Sequence, residues 1–271
     1  MENWPLFFII GIPLAITIGL VFNFLFALVD ELHIAAFHRP IYIHLYTNFL
    51  EISAEQEKLL TEKFEFYNKL STKRKKYFNH RVTLFLEKYE FIPRDNIVIN
   101  EEVQTIIAAT YVMLTFGMRH FLLTAFDKII IYPEEYYSTF SEQYHKGEYN
   151  PRMKAVVFSW KHFYEGFETS NDNLNLGIHE FTHVVHHHSL YSQDASSLTF
   201  KKHFQRVLMI IENPQARQKL IESEYFRVYA FTNSFEFVSV AIEHYFETPN
   251  QFKQEFPLLF KHVSRMLNHR H

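Results

Sequence analysis

The chain has 271 residues, a formal charge of −3, no cysteine, 30 phenylalanines and 16 tyrosines. This length and aromatic content predict a folded protein with a substantial core and exclude an intrinsically disordered chain. The small net charge argues against a general nucleic-acid-binding protein, so no nucleic-acid partner is expected. Without cysteine the protein forms neither disulfides nor a thiolate metal site, and any transition-metal site must use histidine, aspartate or glutamate.

Residues 3–29 contain no charged side chain and are mostly leucine, isoleucine, phenylalanine and valine. About 20 such residues cross a bilayer as a helix. A cleaved signal peptide is the alternative, but signal peptides carry a basic segment before the apolar run, and no lysine or arginine precedes this one. We therefore expect residues 1–31 to form a transmembrane anchor that holds the protein in the cell membrane.

Basic side chains near the apolar segment lie on its C-terminal side, at Arg39, Lys58, Lys63 and Lys69. The positive-inside rule places the flank that is richer in lysine and arginine in the cytoplasm. The sequence therefore predicts a single-pass protein whose large domain, residues 32–271, is cytoplasmic.

The chain after the anchor mixes helices with short strands. Residues 32–50 are predicted to be a connector, and the capping box at residues 53–56 predicts the start of a helix. Further helices are predicted at residues 71–89 and 100–116. Strands are predicted at residues 97–99, 128–132 and 154–160. Because helices and strands do not alternate regularly, we expect an α+β fold that is mainly helical with a small β-sheet.

The candidate catalytic motif is His179-Glu180-Phe181-Thr182-His183, an H-E-x-x-H sequence within an apolar stretch. On a helix the two histidines lie one turn apart on the same face, where both imidazoles can bind one Zn²⁺. Glu180 beside them can take a proton from the attacking water. The alternative is a buried helix with two structural histidines, because so short a motif also arises by chance.

A catalytic zinc site usually has three protein ligands, so a third one is needed. Three consecutive histidines, His186 to His188, follow the motif. On a continuous helix, however, His186 lies about 10 Å along the axis from His179. No glycine follows the motif to break the helix, so the three histidines are predicted to be a polar helix end.

A carboxylate on a second helix is the other candidate for the third ligand. Residues 233–247 have the apolar pattern of a helix, with Asn233 as its N-cap and Glu236 in its first turn. Glu236 can extend to a partner helix and complete the zinc site, or it can form a capping box with Asn233. Spacing alone does not decide between these two roles.

Six segments, in the same order along the chain, resemble the Mlc titration factor A (MtfA) family of zinc-dependent peptidases, which share an active-site pattern with lethal-factor-type gluzincins. They are residues 66–70, 129–133, 145–148, 156–160, 179–183 and 229–237. The resemblance covers about residues 60–268. It implies a zincin-like α+β metallopeptidase domain, here preceded by an N-terminal transmembrane helix.

Carried onto this sequence, the family pattern makes His179, His183 and Glu236 the ligands of one Zn²⁺ per chain. Glu180 is then the general base of peptide hydrolysis. Tyr229 corresponds to a family tyrosine that faces the metal, where a phenol can donate a hydrogen bond to the oxyanion that forms during the reaction.

Two further positions are candidates for side chains that orient the ligands. Glu243 matches an acidic position of the family and is expected to orient a ligand histidine. His186 stands where the family usually has aspartate, so an acidic partner of the site is lost or comes from another residue. The transmembrane helix also lies outside the family pattern.

The sequence therefore predicts a membrane-anchored zinc metallopeptidase that acts on a peptide or protein substrate. The resemblance implies an aminopeptidase-like or otherwise narrow activity. The alternative is a regulatory interaction protein: MtfA binds a transcriptional repressor, and this chain would tether such a regulator to the membrane, with peptidase activity secondary. Glu180 favours the enzyme, because a scaffold has no need of a general base.

Overall fold

The structure is a computed structural model that describes residues 7–37, 39–138, 142–169 and 171–269. Residues 1–6, the first part of the predicted anchor at residues 1–31, lie outside the described residues. The chain divides into two compact units, Met1–Ile43 and His44–His271.

The first unit contains a long apolar helix. A π-helical turn at Phe7–Gly11 leads into α1, Ile12–Phe37. The segment Phe8–Phe37 has 30 residues, and its most apolar part is not buried within the protein. Since about 20 apolar residues are enough to cross a bilayer, this segment is long and apolar enough to be a membrane span.

The predicted connector at residues 32–50 is shorter than expected. α1 continues to Phe37, and only residues 39–50 lack regular helix and strand. The division between the two units falls after Ile43. The predicted domain boundary after residue 31 stays a prediction.

The second unit is mainly helical. Its α-helices are α2 Ala54–Lys63, α3 Glu65–Asn68, α4 Thr72–Lys88, α5 Glu101–Thr115, α6 Trp160–Glu168, α7 Leu176–Tyr191, α8 Ala195–Ile211, α9 Pro214–Glu222, α10 Ser234–Glu247, α11 Pro249–Glu255 and α12 Pro257–Met266, with a 3-10 turn at Val228–Phe231. The helices predicted at residues 71–89 and 100–116 are confirmed as α4 and α5. The predicted capping box of α2 is also confirmed: Gln56 N–H donates to the Ser53 hydroxyl, and Ser53 N–H donates to the Gln56 side chain.

A small mixed sheet accompanies these helices. The strands are β1 Glu90–Pro93, β2 Lys128–Tyr132, β3 Tyr136–Ser138, β4 Gln143–His145, β5 Gly147–Asn150 and β6 Ala155–Ser159. Within the described residues, four of them form a sheet in the order β1-β2-β6-β5, and β3 and β4 form a separate antiparallel pair. β1, β2 and β6 are parallel, whereas the edge strand β5 is antiparallel to β6. The predicted α+β fold is confirmed, as are the strands predicted at residues 128–132 and, apart from its two end residues, 154–160.

The strand predicted at residues 97–99 is wrong. Ile97 N–H donates to the Arg94 carbonyl at 3.1 Å, which makes the segment the exit of a turn. Val98 is 80% exposed, and in the described part of the chain the segment pairs with no strand. The partner of β2 is instead β1, which ends at Pro93, four residues before the predicted strand begins. An apolar run of strand-type residues forms a strand only where a partner edge is available.

α7 is the central helix of the second unit. It packs against α5, α6, α8 and α10 and against strands β5 and β6. Its side chains Phe181 and Val184 are fully buried, and burial of such a side chain contributes about 1.5–3 kcal/mol. The Phe181 ring lies 5.1 Å from that of Tyr111 on α5 and 5.3 Å from that of Phe158 on β6, measured between centroids. These contacts fix the helix that carries the H-E-x-x-H residues.

Gly147, the first residue of β5, allows this edge strand to approach α7 closely. A Cβ atom at this position would lie 2.8 Å from Leu176 Cδ1 and 3.0 Å from Glu180 Cγ. Carbon atoms do not approach one another so closely without displacement, so a larger residue would require the Leu176 and Glu180 side chains or the strand to shift. The glycine therefore lets β5 lie close to Glu180 without disturbing its side chain.

Candidate metal centre

α7 places two imidazoles on one face. Asn175 caps the helix, and its side chain accepts a hydrogen bond from Ile178 N–H at 3.0 Å. The Nε2 atoms of His179 and His183 lie 3.2 Å apart. The His179 side chain is 8% exposed and that of His183 is 19% exposed, so the pair is held by the protein while remaining reachable from solvent.

Glu236 reaches the same place from α10. Asn233 caps this helix, since its side chain accepts hydrogen bonds from the N–H groups of Phe235 and Glu236. The Oε2 atom of Glu236 lies 2.9 Å from His179 Nε2, and its Oε1 atom lies 3.5 Å from His183 Nε2. The carboxylate therefore faces the two histidines instead of closing a capping box with Asn233. The three residues predicted as metal ligands are brought together.

These three side chains fit a divalent metal ion. Their ligand atoms are separated by 3.2, 2.9 and 3.5 Å. Two ligands about 2.0–2.1 Å from a tetrahedral zinc ion lie about 3.3 Å apart, which matches these separations. His179, His183 and Glu236 also form a group in which all the candidate ligand atoms lie within 4.8 Å of one another.

The charges around His179 also favour a cation. Burial by itself lowers the pKa of His179, but hydrogen bonds to Glu236 and Glu243 outweigh it and raise the pKa to about 10. Burial raises the pKa of Glu236, yet the two histidines hold it well below its usual range. Surroundings that stabilise a proton on a buried imidazole also stabilise a metal ion, which takes the proton's place.

Glu243 orients His179 and is itself held by Arg227. The Nδ1 atom of His179 donates to Glu243 Oε1 at 2.7 Å, so Nε2 is the nitrogen that a metal can bind when it displaces the proton there. Arg227 donates to both oxygens of this carboxylate, at 2.7 and 2.9 Å, and Asn175 N–H donates to Oε2 at 3.1 Å. Glu243 is completely buried, so these donors replace the water that the carboxylate has lost.

Glu180 lies next to the three ligands and is tied to the edge of the sheet. It is 7% exposed, and its Oε2 atom accepts a hydrogen bond from Tyr149 N–H of β5 at 3.0 Å. Burial raises the pKa of Glu180, and the positive charge of nearby His179 opposes this rise. A carboxylate with a raised pKa and one oxygen fixed by the backbone is suited to accepting and releasing a proton.

The sequence pattern of the glucose-regulated metallopeptidase M90 family matches residues 46–267. The chain belongs to this family. The match confirms the predicted resemblance to the MtfA family and assigns the protein to the metallopeptidases, whose members hold a metal ion. The chain is also 24% identical to an uncharacterised protein of Synechocystis sp. strain PCC 6803 over an aligned region of 221 residues. This region covers 75% of this chain and 79% of the relative.

In this member of the M90 family, Tyr229 lies beside the ligands. It belongs to the 3-10 turn that precedes α10, it is 51% exposed, and its ring centroid lies 6.0 Å from that of His179. Partial burial and the charge of Glu236 raise the pKa of Tyr229 to about 12. The phenol therefore keeps its proton at neutral pH and can donate a hydrogen bond into the space beside the ligands.

His186 is packed among aromatic rings. It is 6% exposed, and its ring centroid lies 4.3 Å from that of Phe204 and 4.6 Å from that of Phe235. Burial lowers the pKa of His186 to about 4, so the imidazole is neutral at physiological pH. The contacts are those of a core side chain, and they lend no support to the hypothesis that His186 orients a ligand of the metal.

The two neighbours of His186 have polar partners. The Nδ1 atom of His187 lies 2.9 Å from the Tyr149 hydroxyl, and His188 Nε2 lies 3.6 Å from a carboxylate oxygen of Asp194. Neither histidine belongs to the group of candidate ligands. His187 and His188 therefore agree with the predicted polar end of the H-E-x-x-H helix, whereas for His186, which is buried among aromatic rings, that prediction is wrong.

Sequence reasoning did not find Arg227 or Tyr149. Tyr149 binds Glu180 through its backbone N–H, which every residue except proline has, so no residue type marks the position. Arg227 lies just before the matched segment that begins at Tyr229. A buried carboxylate requires a cationic partner. Once Glu243 is assigned to the buried site, this requirement predicts a nearby arginine or lysine.

Proposed function

We propose that this protein is a membrane-anchored zinc metallopeptidase that hydrolyses peptide bonds. One observation carries the proposal: the buried carboxylate of Glu180 lies beside a group of three candidate metal ligands. Two of these ligands are imidazoles of the same helix, and the third is a carboxylate from another helix. A general base next to a three-ligand metal site is what the hydrolysis of an amide by water requires. Family membership supports the metallopeptidase class.

We assign one Zn²⁺ per chain to His179, His183 and Glu236. Two imidazoles and one carboxylate, with no thiolate, are a donor set typical of catalytic zinc with one position left open. When bound there, zinc polarises the scissile carbonyl group and lowers the pKa of water. Glu243 and Arg227 hold His179 so that its Nε2 atom points to the site.

Glu180 is proposed to carry the proton of the reaction. Its Oε2 atom is occupied by Tyr149 N–H, so Oε1 takes the proton from the attacking water and later gives it to the departing amine. Tyr229 keeps its phenolic proton and donates a hydrogen bond to the oxyanion that forms at the scissile carbonyl. The substrate is a peptide or protein, and the family resemblance favours an aminopeptidase-like or narrow specificity.

Metal analysis of the purified full-length protein tests the site. We expect about one zinc per chain in the wild type and much less in Glu236→Ala, because two imidazoles alone hold zinc weakly. Glu255→Ala, which removes an exposed carboxylate of α11, is the matched control and retains the zinc. Equal zinc contents in wild type and Glu236→Ala would overturn the assignment of the third ligand.

The apolar helix Phe8–Phe37 is proposed to anchor the protein in the cell membrane, with the peptidase domain in the cytoplasm. Because the chain has no cysteine, single cysteines can report its orientation. Ser223→Cys, at an exposed position of the large unit, should react with an impermeant maleimide only after lysis. Glu2→Cys, which precedes the uncharged segment 3–29, should react in intact cells. The reverse pattern would place the domain outside the cytoplasm.

A further inference from the structure

The second unit contains a cavity of about 600 Å³ that is separate from the metal centre. It lies between the α2–α4 region, α5, α6, the first turn of α7 and the end of α10. None of the three metal ligands lines it. Its wall is mostly apolar and includes Phe64, Phe66, Leu70, Met113, Phe167 and Phe246. Both its size and its apolar wall are typical of a small-molecule site, for which volumes of about 300–1,000 Å³ are usual.

One cation in this wall has no acidic partner. Lys63 is paired with Glu102 at 2.9 Å, and Lys69 is paired with Glu65 at 2.7 Å. The side chain of Arg74, in contrast, makes no ion pair with any residue that the structure describes. Its guanidinium lies over the ring of Phe116, 5.1 Å from the centroid. An arginine held in this way presents N–H donors that remain available to an anion.

The acidic residues of the wall do not cancel the charge of Arg74. Glu65 is already paired with Lys69. Burial raises the pKa of Glu247 to about 8, so this carboxyl group is mostly neutral at pH 7. Glu168 is exposed, as is Arg74, and the two side chains form no ion pair in the part of the chain that the structure describes. The cavity thus combines an apolar part of its wall with one exposed guanidinium that has no acidic partner among the described residues, and Thr110, Asn175 and His269 add neutral or titratable polar groups to the lining.

We propose that this cavity binds one single-chain amphiphile with a carboxylate head group, such as a fatty acid. The head group pairs with Arg74, and the hydrocarbon chain lies against the four phenylalanines, Leu70 and Met113. A planar guanidinium binds a carboxylate through two parallel hydrogen bonds, which selects an anionic head over a neutral or cationic one. The apolar wall supplies affinity in proportion to the length of chain that it buries.

Binding of decanoate to the full-length protein in phosphatidylcholine nanodiscs tests this proposal, with empty nanodiscs subtracted. We expect saturable binding of one decanoate per chain. Arg74→Gln should weaken it several-fold, because it removes the cation that pairs with the head group and leaves the apolar part of the wall intact. Lys73→Gln is the matched control: it removes the neighbouring positive charge, which does not line the cavity, and should change the affinity less than twofold.

Two further measurements separate the head group from the cavity. Decanol, which has the same chain without the charge, should bind wild type and Arg74→Gln equally. Leu70→Trp, which fills the cavity from a partly buried position, should abolish binding of both ligands while the thermal melting transition is retained. The binding readout does not use peptide cleavage, so it is independent of the proposed peptidase activity.

Three outcomes would overturn the proposal. The first is an absence of protein-dependent decanoate binding. The second is equal weakening by Lys73→Gln and Arg74→Gln, which would show general attraction to a basic surface. The third is competition by decyltrimethylammonium as strong as that by unlabelled decanoate. This result would show that the site does not distinguish an anionic head group from a cationic one.

Discussion

Arg227 donates a hydrogen bond to each carboxylate oxygen of Glu243, at 2.7 and 2.9 Å, and Glu243 in turn binds the Nδ1 atom of His179. The three residues come from the segment before α10, from α10 itself and from α7. This chain of contacts joins the two helices that carry the proposed metal ligands. The orientation of the His179 imidazole therefore depends on a cation that is not itself a ligand.

Replacing Arg227 by methionine should weaken both the fold and the metal site. Glu243 would be left as a buried charge without a cation, which costs about 3–5 kcal/mol in comparable cases. Loss of a partner that orients a ligand histidine typically reduces metal affinity about 10–100-fold. Thermal melting and competition with a zinc chelator measure the two effects.

Arg227→Lys is the informative companion variant. Lysine keeps the positive charge but cannot bind both carboxylate oxygens in parallel, so we expect most of the stability to return and zinc affinity to recover only in part. If Arg227→Met melts and binds zinc like the wild type, then Glu243 does not depend on this cation.

Replacing Glu180 by glutamine should separate metal binding from catalysis. Glutamine keeps the size of the side chain and can still accept the hydrogen bond from Tyr149 N–H, but it cannot accept a proton from water. We expect unchanged zinc content and a loss of peptide cleavage of about 10²–10⁴-fold. A biological effect that survives in Glu180→Gln would favour the alternative role of a regulatory scaffold.

The local part of the site was predictable because it lies within one helix. The spacing of His179 and His183 places both on one face of any helix, and α7 is a helix through that segment. The apolar residues around them also marked that helix as buried. Such arguments need only the 3.6-residue period of the α-helix.

The long-range part of the site was not predictable from periodicity. Glu236 lies on a different helix, and its sequence neighbourhood fitted a capping box with Asn233 equally well; only the family resemblance favoured the metal. The rejected strand at residues 97–99 failed for the same reason. Its residue types suit a strand, but the edge of β2 was taken by Glu90–Pro93. Pairing across the fold decides such cases, and composition does not record it.

Tyr229→Phe should lower the rate of peptide cleavage without releasing the metal. The phenol is protonated at neutral pH and lies beside His179, but it does not belong to the ligand group. Loss of one donor to an oxyanion typically lowers kcat about 10²–10³-fold, with a small change in KM. Steady-state kinetics and zinc analysis of the same preparation check both parts. A wild-type kcat in Tyr229→Phe would remove the tyrosine from the mechanism.

Glu247 should make the stability of the protein depend on pH. Burial raises its pKa to about 8, from 4.5 for a free side chain, and its Oε1 atom is buried without a hydrogen-bond partner among the described residues. Since the pKa is raised in the folded state, this group does not oppose folding below pH 4.5. Its destabilising effect grows as pH rises from about 4.5 to about 8 and is then constant.

Glu247→Gln should therefore be more stable than the wild type above pH 8 and nearly equal to it at pH 4.5. The amide has no proton to lose, and its oxygen can still accept the hydrogen bond from Asn173 N–H that Glu247 now accepts at 2.7 Å. Each unit of pKa shift corresponds to about 1.4 kcal/mol, so a difference on the order of a few kcal/mol is expected at high pH. Melting temperatures of both proteins between pH 4.5 and 9 measure it, with the exposed Glu255→Gln as control. A difference between wild type and Glu247→Gln that does not change with pH would show that Glu247 is ionised in the folded protein throughout this range.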